Sequence, residues 1–221
     1  MSQEAKTISI ISIITILVVV GGLYFWNKSS NLVKDATTTP AVVDRNKVVA
    51  PDSHVLGDIN AKVIVTEFGD YECPACGIAY PATQQLIAKY KDNKDVAFIF
   101  RNYPLPQHRN AMKSAQYAEA AALQGKFWEM HDALYEGQKE WSVSLNADAE
   151  FVAIAKKLGL DIDKLEKDVK SPEVAARINA DKKAGDEIRV NATPTFFVNG
   201  IVQKSWGVNE LSIAIDKELA K

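Results

Sequence analysis

The sequence predicts an α/β protein in which strands flank a long block of helices. Three observations support this prediction. A β-branched run from Lys62 to Phe68 is typical of a buried strand, and it ends in a turn at which a helix begins. A second apolar strand, Asp95 to Arg101, precedes a helix-rich stretch over about 105–188. The run Thr195 to Val198 then returns to strand chemistry before a last helix.

The composition is that of a globular protein that does not bind nucleic acid. The formal net charge is -2, from 26 basic and 28 acidic residues. A nucleic-acid footprint would instead be basic and clustered. With only 2 cysteines the chain has no disulfide framework, so packing must supply its stability.

The first residues predict a transmembrane helix over 1–27. No residue from Thr7 to Asn27 is charged, and a helix of this length spans roughly the 30 Å of a bilayer core. An aromatic group of the kind found at membrane interfaces closes the segment: Tyr24, Phe25 and Trp26. A cleaved signal peptide is the alternative, although an A-x-A-like site is missing and the apolar run is long for one.

The rest of the chain is predicted to comprise a linker and one domain. Residues 28–53 are polar and uneven, which is typical of a tether, and residues 54–221 form the folded domain. With the N-terminal helix, this organisation predicts a single-pass protein of the cell membrane. The folded domain is expected outside the cytoplasm.

Several local signals place the helices. The first long helix should run from Cys73 to about Lys91, with a kink at Pro81. Asn146 and Ser171 are candidate N-caps within the helical block. Asn209 is the candidate N-cap of the last helix.

The two cysteines, Cys73 and Cys76, stand at the start of the first long helix, with Pro74 and Ala75 between them. The first turn of a helix presents unpaired N–H groups and the positive end of the helix dipole, and both stabilise a thiolate. The pKa of Cys73 should therefore be lowered, which makes it the reactive sulfur. Cys76 should be more buried and act as the resolving thiol.

A zinc site and a purely structural disulfide are the other interpretations of the pair. A zinc site needs about four ligands, and His54, His108 and His131 show no ligand spacing. A disulfide across two intervening residues closes too small a loop to stabilise much. We therefore expect no metal, and no cofactor besides a redox-active Cys73–Cys76 disulfide.

Three stretches resemble the DsbA-like thiol-disulfide oxidoreductases. Glu67 to Cys76 looks like the active-site signature of that family, and Thr193-Pro194-Thr195 resembles its cis-proline loop, which faces the cysteines. The segment from His108 to Gln138 is similar to its inserted helical domain. The resemblance covers about Val55 to the C-terminus. It implies a thioredoxin-like fold with an inserted α-helical domain at about 105–188.

The resemblance also implies roles around the cysteines. Thr193 would present backbone groups to the substrate, and Pro194 would keep a competing residue away from the sulfurs. Pro74 and Ala75 would join them in contacting the substrate. An ordinary trans turn proline is the alternative at Pro194.

Glu67 is a candidate proton partner for Cys76. Alternation along the strand places it on the same face as Val63 and Val65. A buried carboxyl has a raised pKa and could relay a proton, and the family carries an acid at this point. The alternative is a partly solvated glutamate at the strand end.

By this resemblance the chain is expected to be a membrane-tethered oxidase that forms disulfides in exported proteins. A quinone-linked membrane partner would reoxidise it. Pro74 and Ala75 stand between the cysteines, where strongly oxidising members of the family carry a histidine. A moderate reduction potential is therefore expected. A disulfide isomerase or reductase on the same scaffold is the alternative, and a non-catalytic binding or chaperone module is another.

Overall fold

The computed structural model describes residues 42–221 and the isolated Gly21. Five strands form one sheet in the order β1-β3-β2-β4-β5. Strands β2 and β3 are parallel, and the other neighbouring pairs are antiparallel. The strand bounds are β1 His54–Leu56, β2 Val63–Gly69, β3 Val96–Asn102, β4 Thr195–Val198 and β5 Ile201–Val202.

The helices of the described residues surround this sheet. Helix α2 lies between β2 and β3, six helices occupy the segment between β3 and β4 that was predicted to be helical, and α9 follows β5. The helix bounds are α1 Arg45–Val48, α2 Pro74–Tyr90, α3 Ala111–Ala122, α4 Phe127–Glu136, α5 Gln138–Trp141, α6 Ala147–Lys157, α7 Ile162–Asp168, α8 Pro172–Glu187 and α9 Val208–Leu219.

The central strand β2 is buried on both faces, and its residues alternate between them. Val63 and Val65 pack beneath α2 and α9, whereas Ile64 faces the opposite side of the sheet. Glu67 continues the first series and lines a narrow cavity together with Thr83 of α2. The strand therefore delivers a carboxyl group under the helix that begins at the cysteines.

Helices α3 to α8 enclose a second core, which continues into the turn before α2. Tyr71, Cys73 and Cys76 of that turn belong to the same buried cluster as the helical side chains. The largest fully buried members from the helices are Trp141, Phe151, Met130, Leu134, Leu165 and Ile178.

Two buried carboxylates fix the helical segment against the end of β3. Asp181 of α8 accepts hydrogen bonds from Arg101 Nε at 2.7 Å and from the backbone N–H of Asn102 at 3.0 Å. Glu119 of α3 accepts one from Asn102 Nδ2 at 2.6 Å and lies 2.9 Å from His54 Nε2. Removing one partner would leave a buried charge uncompensated, so these contacts constrain how the helices sit on the sheet.

The predicted N-caps are correct inside the helical block and wrong for the last helix. The side chains of Asn146 and Ser171 accept hydrogen bonds from the backbone in the first turns of α6 and α8. Helix α9 has Gly207 as its N-cap, not Asn209. The extended backbone of Gly207 already offers its carbonyl to the N–H of Leu211 at 3.0 Å, so the first turn closes earlier.

Part of the predicted linker packs on the domain. Within residues 42–53, helix α1 buries Val48, and Arg45 donates to the carbonyl of Ala61 at 2.6 Å. The N–H of Val43 donates to the carbonyl of Gly200 at 2.9 Å. The predicted boundaries at residues 27 and 53 stay predictions.

The predicted location needs correction. A membrane-spanning helix requires about 20 predominantly apolar residues, and none of the helices in the described ranges is long and apolar enough. The longest, α2, has 17 residues and includes the polar side chains of Thr83, Gln84, Gln85 and Lys89. This finding contradicts the single-pass location in the cell membrane, which is withdrawn. The predicted segment over 1–27 lies outside the described residues, apart from Gly21.

Two Leu→Ala variants test where the helical core lies. Leu134 is 0% exposed and Leu145 is 98% exposed. Leu134→Ala should lower the free energy of unfolding by about 2–5 kcal/mol, because it removes core contacts and leaves a cavity. Leu145→Ala should change it by less than about 0.5 kcal/mol. Urea denaturation measures both, and equal losses would contradict this placement.

Candidate active site

The turn between β2 and α2 places Cys73 immediately before the first residue of the helix. The N–H of Cys73 donates to the carbonyl of Asp70 at 3.1 Å, and the N–H of Gly77 donates to the carbonyl of Cys73 at 3.1 Å. Cys73 is the N-cap, and Pro74 occupies the first helical position. Proline is favourable there because its missing N–H would have no partner in the helix. The local signals therefore located the helix start correctly.

Cys73 has the electrostatic environment of a thiolate. The hydrogen bond from the Cys76 side chain is the largest cause that lowers the pKa of Cys73, to about 5. Burial opposes it, and hydrogen bonds from the N–H groups of Cys76 and Ala75 add to it. These donors lie at the start of a helix, where N–H groups have no partner within the helix.

Cys76 has the opposite character. Its side chain is 0% exposed, against 6% for Cys73. Burial raises the pKa of Cys76 well above the usual thiol range, and the hydrogen bond to Cys73 and the charge of Glu67 raise it further. At neutral pH the reduced pair therefore holds one thiolate and one thiol.

Glu67 is a buried carboxyl group beside this pair. It is 6% exposed and lies on β2 next to Phe196 of β4. Burial, and then the charge of Cys73, raise the pKa of Glu67 to about 8. The cavity that Glu67 lines also borders Thr83 and His131. The volume within it that the centre of a water molecule can occupy is about 10 Å³. That is room for about one water molecule.

The segment before β4 faces the cysteines. The Thr193–Pro194 peptide bond is cis, and the carbonyl oxygen of Thr193 lies 3.4 Å from Cys73 Sγ. Thr193 is buried, Pro194 is half-buried, and Pro74 across from them is exposed. The structure thus brings the predicted loop to the first cysteine.

Other groups at the turn were not identified from the sequence. The carboxylate of Asp70 accepts hydrogen bonds from the N–H groups of Glu72 at 2.8 Å and Leu105 at 2.9 Å. Its second oxygen also lies 2.7 Å from Nδ1 of His108. No local pattern predicts a partner for His108, because the contact depends on how the chain returns after β3.

Gln138 is a further residue that sequence reasoning missed. Its Nε2 donates to the carbonyls of Tyr71 at 2.6 Å and Cys73 at 2.9 Å. Gln138 and Cys73 are 65 positions apart in sequence, and a single glutamine in a helical segment carries no motif. Only the folded helices bring it to the turn.

His131 is buried beneath the turn as a neutral ring. Burial, and then the charge of His54, lower the pKa of His131 to about 3. Its Nδ1 lies 3.2 Å from the hydroxyl of Tyr71. Within the described part of the chain, no three His, Cys, Asp or Glu side chains are grouped so as to hold a metal ion.

Comparison with known proteins places this site in a family. A family model described as thioredoxin matches residues 49–217. The chain belongs to the thioredoxin family. Solved thioredoxin-family structures share its fold. A thioredoxin-like oxidoreductase from Silicibacter pomeroyi DSS-3 has a TM-score of 0.68 and 28% identity, covering 81% of this chain and 99% of that one.

BdbD from Bacillus subtilis, solved in its oxidised form, has a TM-score of 0.70 and 25% identity, covering 83% of this chain and 98% of its own. For alpha-DsbA1 from Wolbachia pipientis, the TM-score of 0.71 comes with 20% identity over 80% of this chain and 96% of that one, which shows the fold alone. Two cysteines at the helix start of this thioredoxin fold, with such neighbours, support a thiol-disulfide oxidoreductase of the DsbA/thioredoxin type.

The curated relatives of this thioredoxin-family chain are longer proteins. It is 41% identical over 161 residues to the Na(+)/H(+) antiporter NhaA 3 of Salinispora tropica, covering 72% of this chain and 24% of the antiporter. The NhaA 1 antiporter of Salinispora arenicola is 38% identical over 182 residues, covering 81% and 27%. The chain thus spans about a quarter of the length of these relatives. The names of these antiporters do not change the correction of the predicted membrane location.

The titration of the reduced protein tests the asymmetry of the pair. The ultraviolet absorbance of a thiolate should appear with a midpoint near pH 5, the pKa of Cys73. Cys76→Ala should raise that midpoint, because it removes the side-chain donor. Cys73→Ala is the control and should abolish the transition. A midpoint near 9, the ordinary value for a thiol, would contradict the assignment.

The pH dependence of stability tests the burial of Glu67. A folded pKa of about 8 against 4.5 means that its contribution is present below about pH 4.5 and is lost as the pH rises to about 8. In the oxidised protein, where Cys73 carries no charge and burial alone raises the pKa of Glu67, the free energy of unfolding should fall by up to about 1.4 kcal/mol per pH unit. Glu67→Gln should remove this fall.

The exposed Glu187 provides the matched control. Glu187→Gln should keep the wild-type fall in the free energy of unfolding, which denaturation at a series of pH values measures. Identical slopes in Glu67→Gln and the wild type would show that this carboxyl group is solvated.

Proposed function

We propose that the protein is a disulfide-forming oxidase that works through the Cys73–Cys76 disulfide. One observation carries this proposal: the lowered pKa of Cys73, about 5, beside the raised pKa of Cys76. A stable Cys73 thiolate favours the reduced protein, so the disulfide is a strong acceptor of electrons.

The accessible sulfur is the proposed site of attack. Cys76 is fully buried, so a substrate thiolate attacks Cys73 Sγ, and the Cys73–Cys76 bond breaks to form a mixed disulfide. Cys76 leaves with the electron pair and takes up a proton. Glu67 is protonated at neutral pH because its pKa is about 8, so it is the proposed donor, directly or through the cavity water.

The second half of the reaction releases the substrate. A second substrate thiolate attacks the substrate sulfur of the mixed disulfide, and Cys73 leaves as a thiolate. The substrate has then lost two electrons and two protons to become a disulfide. One proton resides on Cys76 and the other is released to solvent, because Cys73 stays ionised above about pH 5.

The size of the effect follows from the pKa. At pH 7 a pKa of about 5 favours the thiolate by two pH units, about 3 kcal/mol for the reduced form. For a two-electron couple this is about 60 mV. The shift therefore moves the reduction potential of the pair in the oxidising direction.

The loop before β4 is the proposed substrate contact. Thr193 and Pro194 lie against Cys73, and Pro74 and Ala75 form the helix start on its other side. An extended substrate strand could pair with the backbone of Thr193 while its cysteine meets Cys73 Sγ. The buried hydroxyl of Thr193 has no hydrogen-bond partner among the described residues, so it can donate to the thiolate or to the substrate.

The proposed substrates are exported proteins with reduced cysteines, because disulfides persist outside the reducing cytosol. Each turnover reduces the Cys73–Cys76 pair, so a second partner must reoxidise it. A quinone-linked membrane partner is the proposed acceptor. The resemblance of residues 67–76 to the DsbA-like signature supports both proposals.

A redox equilibrium with glutathione tests the direction of the reaction. We expect a reduction potential clearly above the roughly -270 mV of a reducing thioredoxin. Cys76→Ala, first converted by oxidised glutathione into a Cys73–glutathione mixed disulfide, should exchange its glutathione for the thiol of a reduced protein substrate and accumulate that mixed disulfide, whereas Cys73→Ala should form none. A potential at or below about -270 mV, or efficient reduction of insulin, would identify a reductase instead.

A further inference from the structure

We propose that Gln138 is a positioning residue for the redox centre: it holds the turn around Cys73 in the conformation that stabilises the thiolate. This inference deepens the proposed function and rests on it for the reaction. The hydrogen bonds of Gln138 go to backbone carbonyls of the turn, and the residue comes from the helical segment between β3 and β4.

Both N–H groups of the Gln138 amide donate hydrogen bonds to the turn. Its Nε2 carries two hydrogens, and it donates to two carbonyls, those of Tyr71 at 2.6 Å and Cys73 at 2.9 Å. The side chain is 8% exposed. These two carbonyls lie on either side of the peptide group that leads into Cys73.

The other end of the amide fits against the helix. A Cβ atom built on Gly77 would lie 2.1 Å from Oε1 of Gln138. The amide therefore occupies the space that a side chain at position 77 would need. Gln138 touches the turn at residues 71, 73 and 77, which surround both cysteines in the chain.

Two physical effects connect these contacts to the thiolate. The N–H groups of Ala75 and Cys76 lower the pKa of Cys73, and their direction depends on how the preceding peptide groups are held. The Nε2 donor also compensates the negative ends of two carbonyl dipoles close to the sulfur. Both effects favour the ionised, reduced form more than the disulfide, which carries no charge.

A purely structural role makes a different prediction. If the hydrogen bonds of Gln138 only stabilised the fold, their loss would change the melting temperature of the oxidised and reduced proteins alike. It would leave the titration of Cys73 and the redox equilibrium unchanged. The two roles are therefore separable by measurements on the reactive sulfur.

The test compares Gln138→Met with Gln124→Met in the full chain. Methionine keeps the length of the side chain and removes the donor. Gln124 is the matched control, because its Nε2 also donates to a backbone carbonyl, that of Asp161 at 3.1 Å, away from the cysteines. The thiolate titration and the equilibrium with glutathione are measured for each variant and for the wild type.

Gln138→Met should raise the pKa of Cys73 by about one unit and lower the oxidising equilibrium constant about tenfold, or 29.6 mV. Gln124→Met should leave both within about twofold of the wild type. Gly77→Ala is a second route, since its Cβ displaces the amide while Gln138 remains, and it should shift both quantities in the same direction.

Wild-type values in both Gln138→Met and Gly77→Ala would overturn the proposal, whatever happens to their melting temperatures. If Gln138→Met fails to fold, Gly77→Ala decides alone. A reducing potential in the wild type would overturn the proposed function only. The comparison between the variants and the wild type would still test Gln138.

Discussion

A negative charge on a nearly buried sulfur is the constraint on which the rest of the site depends. Cys73 is 6% exposed, and a buried charge is costly unless donors surround it. The N–H groups at the helix start and the Cys76 side chain supply those donors. The neighbouring groups take the complementary state, since Cys76 and Glu67 both hold their protons at neutral pH. The three pKa values therefore belong to one arrangement of charge, in which Cys73 is the anion and Cys76 and Glu67 are protonated.

Three parts of the chain meet to build this arrangement, and each has a distinct physical task. In the sheet, Glu67 of β2 pairs with Phe196 of β4. The neighbouring pair, Phe68 with Thr195, brings the 193–194 loop to the end of β2. Helix α2 provides the N–H groups. The helical segment supplies Gln138 and is itself fixed by the buried carboxylate of Asp181. A substitution that disturbs any one of these parts should therefore change the pKa of Cys73.

Local and periodic features were predictable from the sequence, and long-range contacts were not. The strand before the cysteines, the helix start at Cys73 and the face occupied by Glu67 follow from spacing within a few residues. Gln138 and the pairing of Asp70 with His108 depend on how distant segments pack, which no local pattern encodes. The cap at Asn209 was misplaced because the backbone of Gly207 closes the turn first. The predicted membrane location was wrong, since none of the helices in the described ranges is long and apolar enough to span a bilayer.

The pH dependence of the reduction potential tests the central claim, that Cys73 is ionised in the reduced protein, most directly. Each proton taken up on reduction contributes about 30 mV per pH unit to a two-electron couple. In Glu67→Gln, where only the sulfurs titrate at the site, the slope should be about 59 mV per unit below pH 5 and about 30 mV per unit from pH 6 to 8. A slope that stays near 59 mV per unit through pH 8 would contradict the account, because both sulfurs would then be protonated.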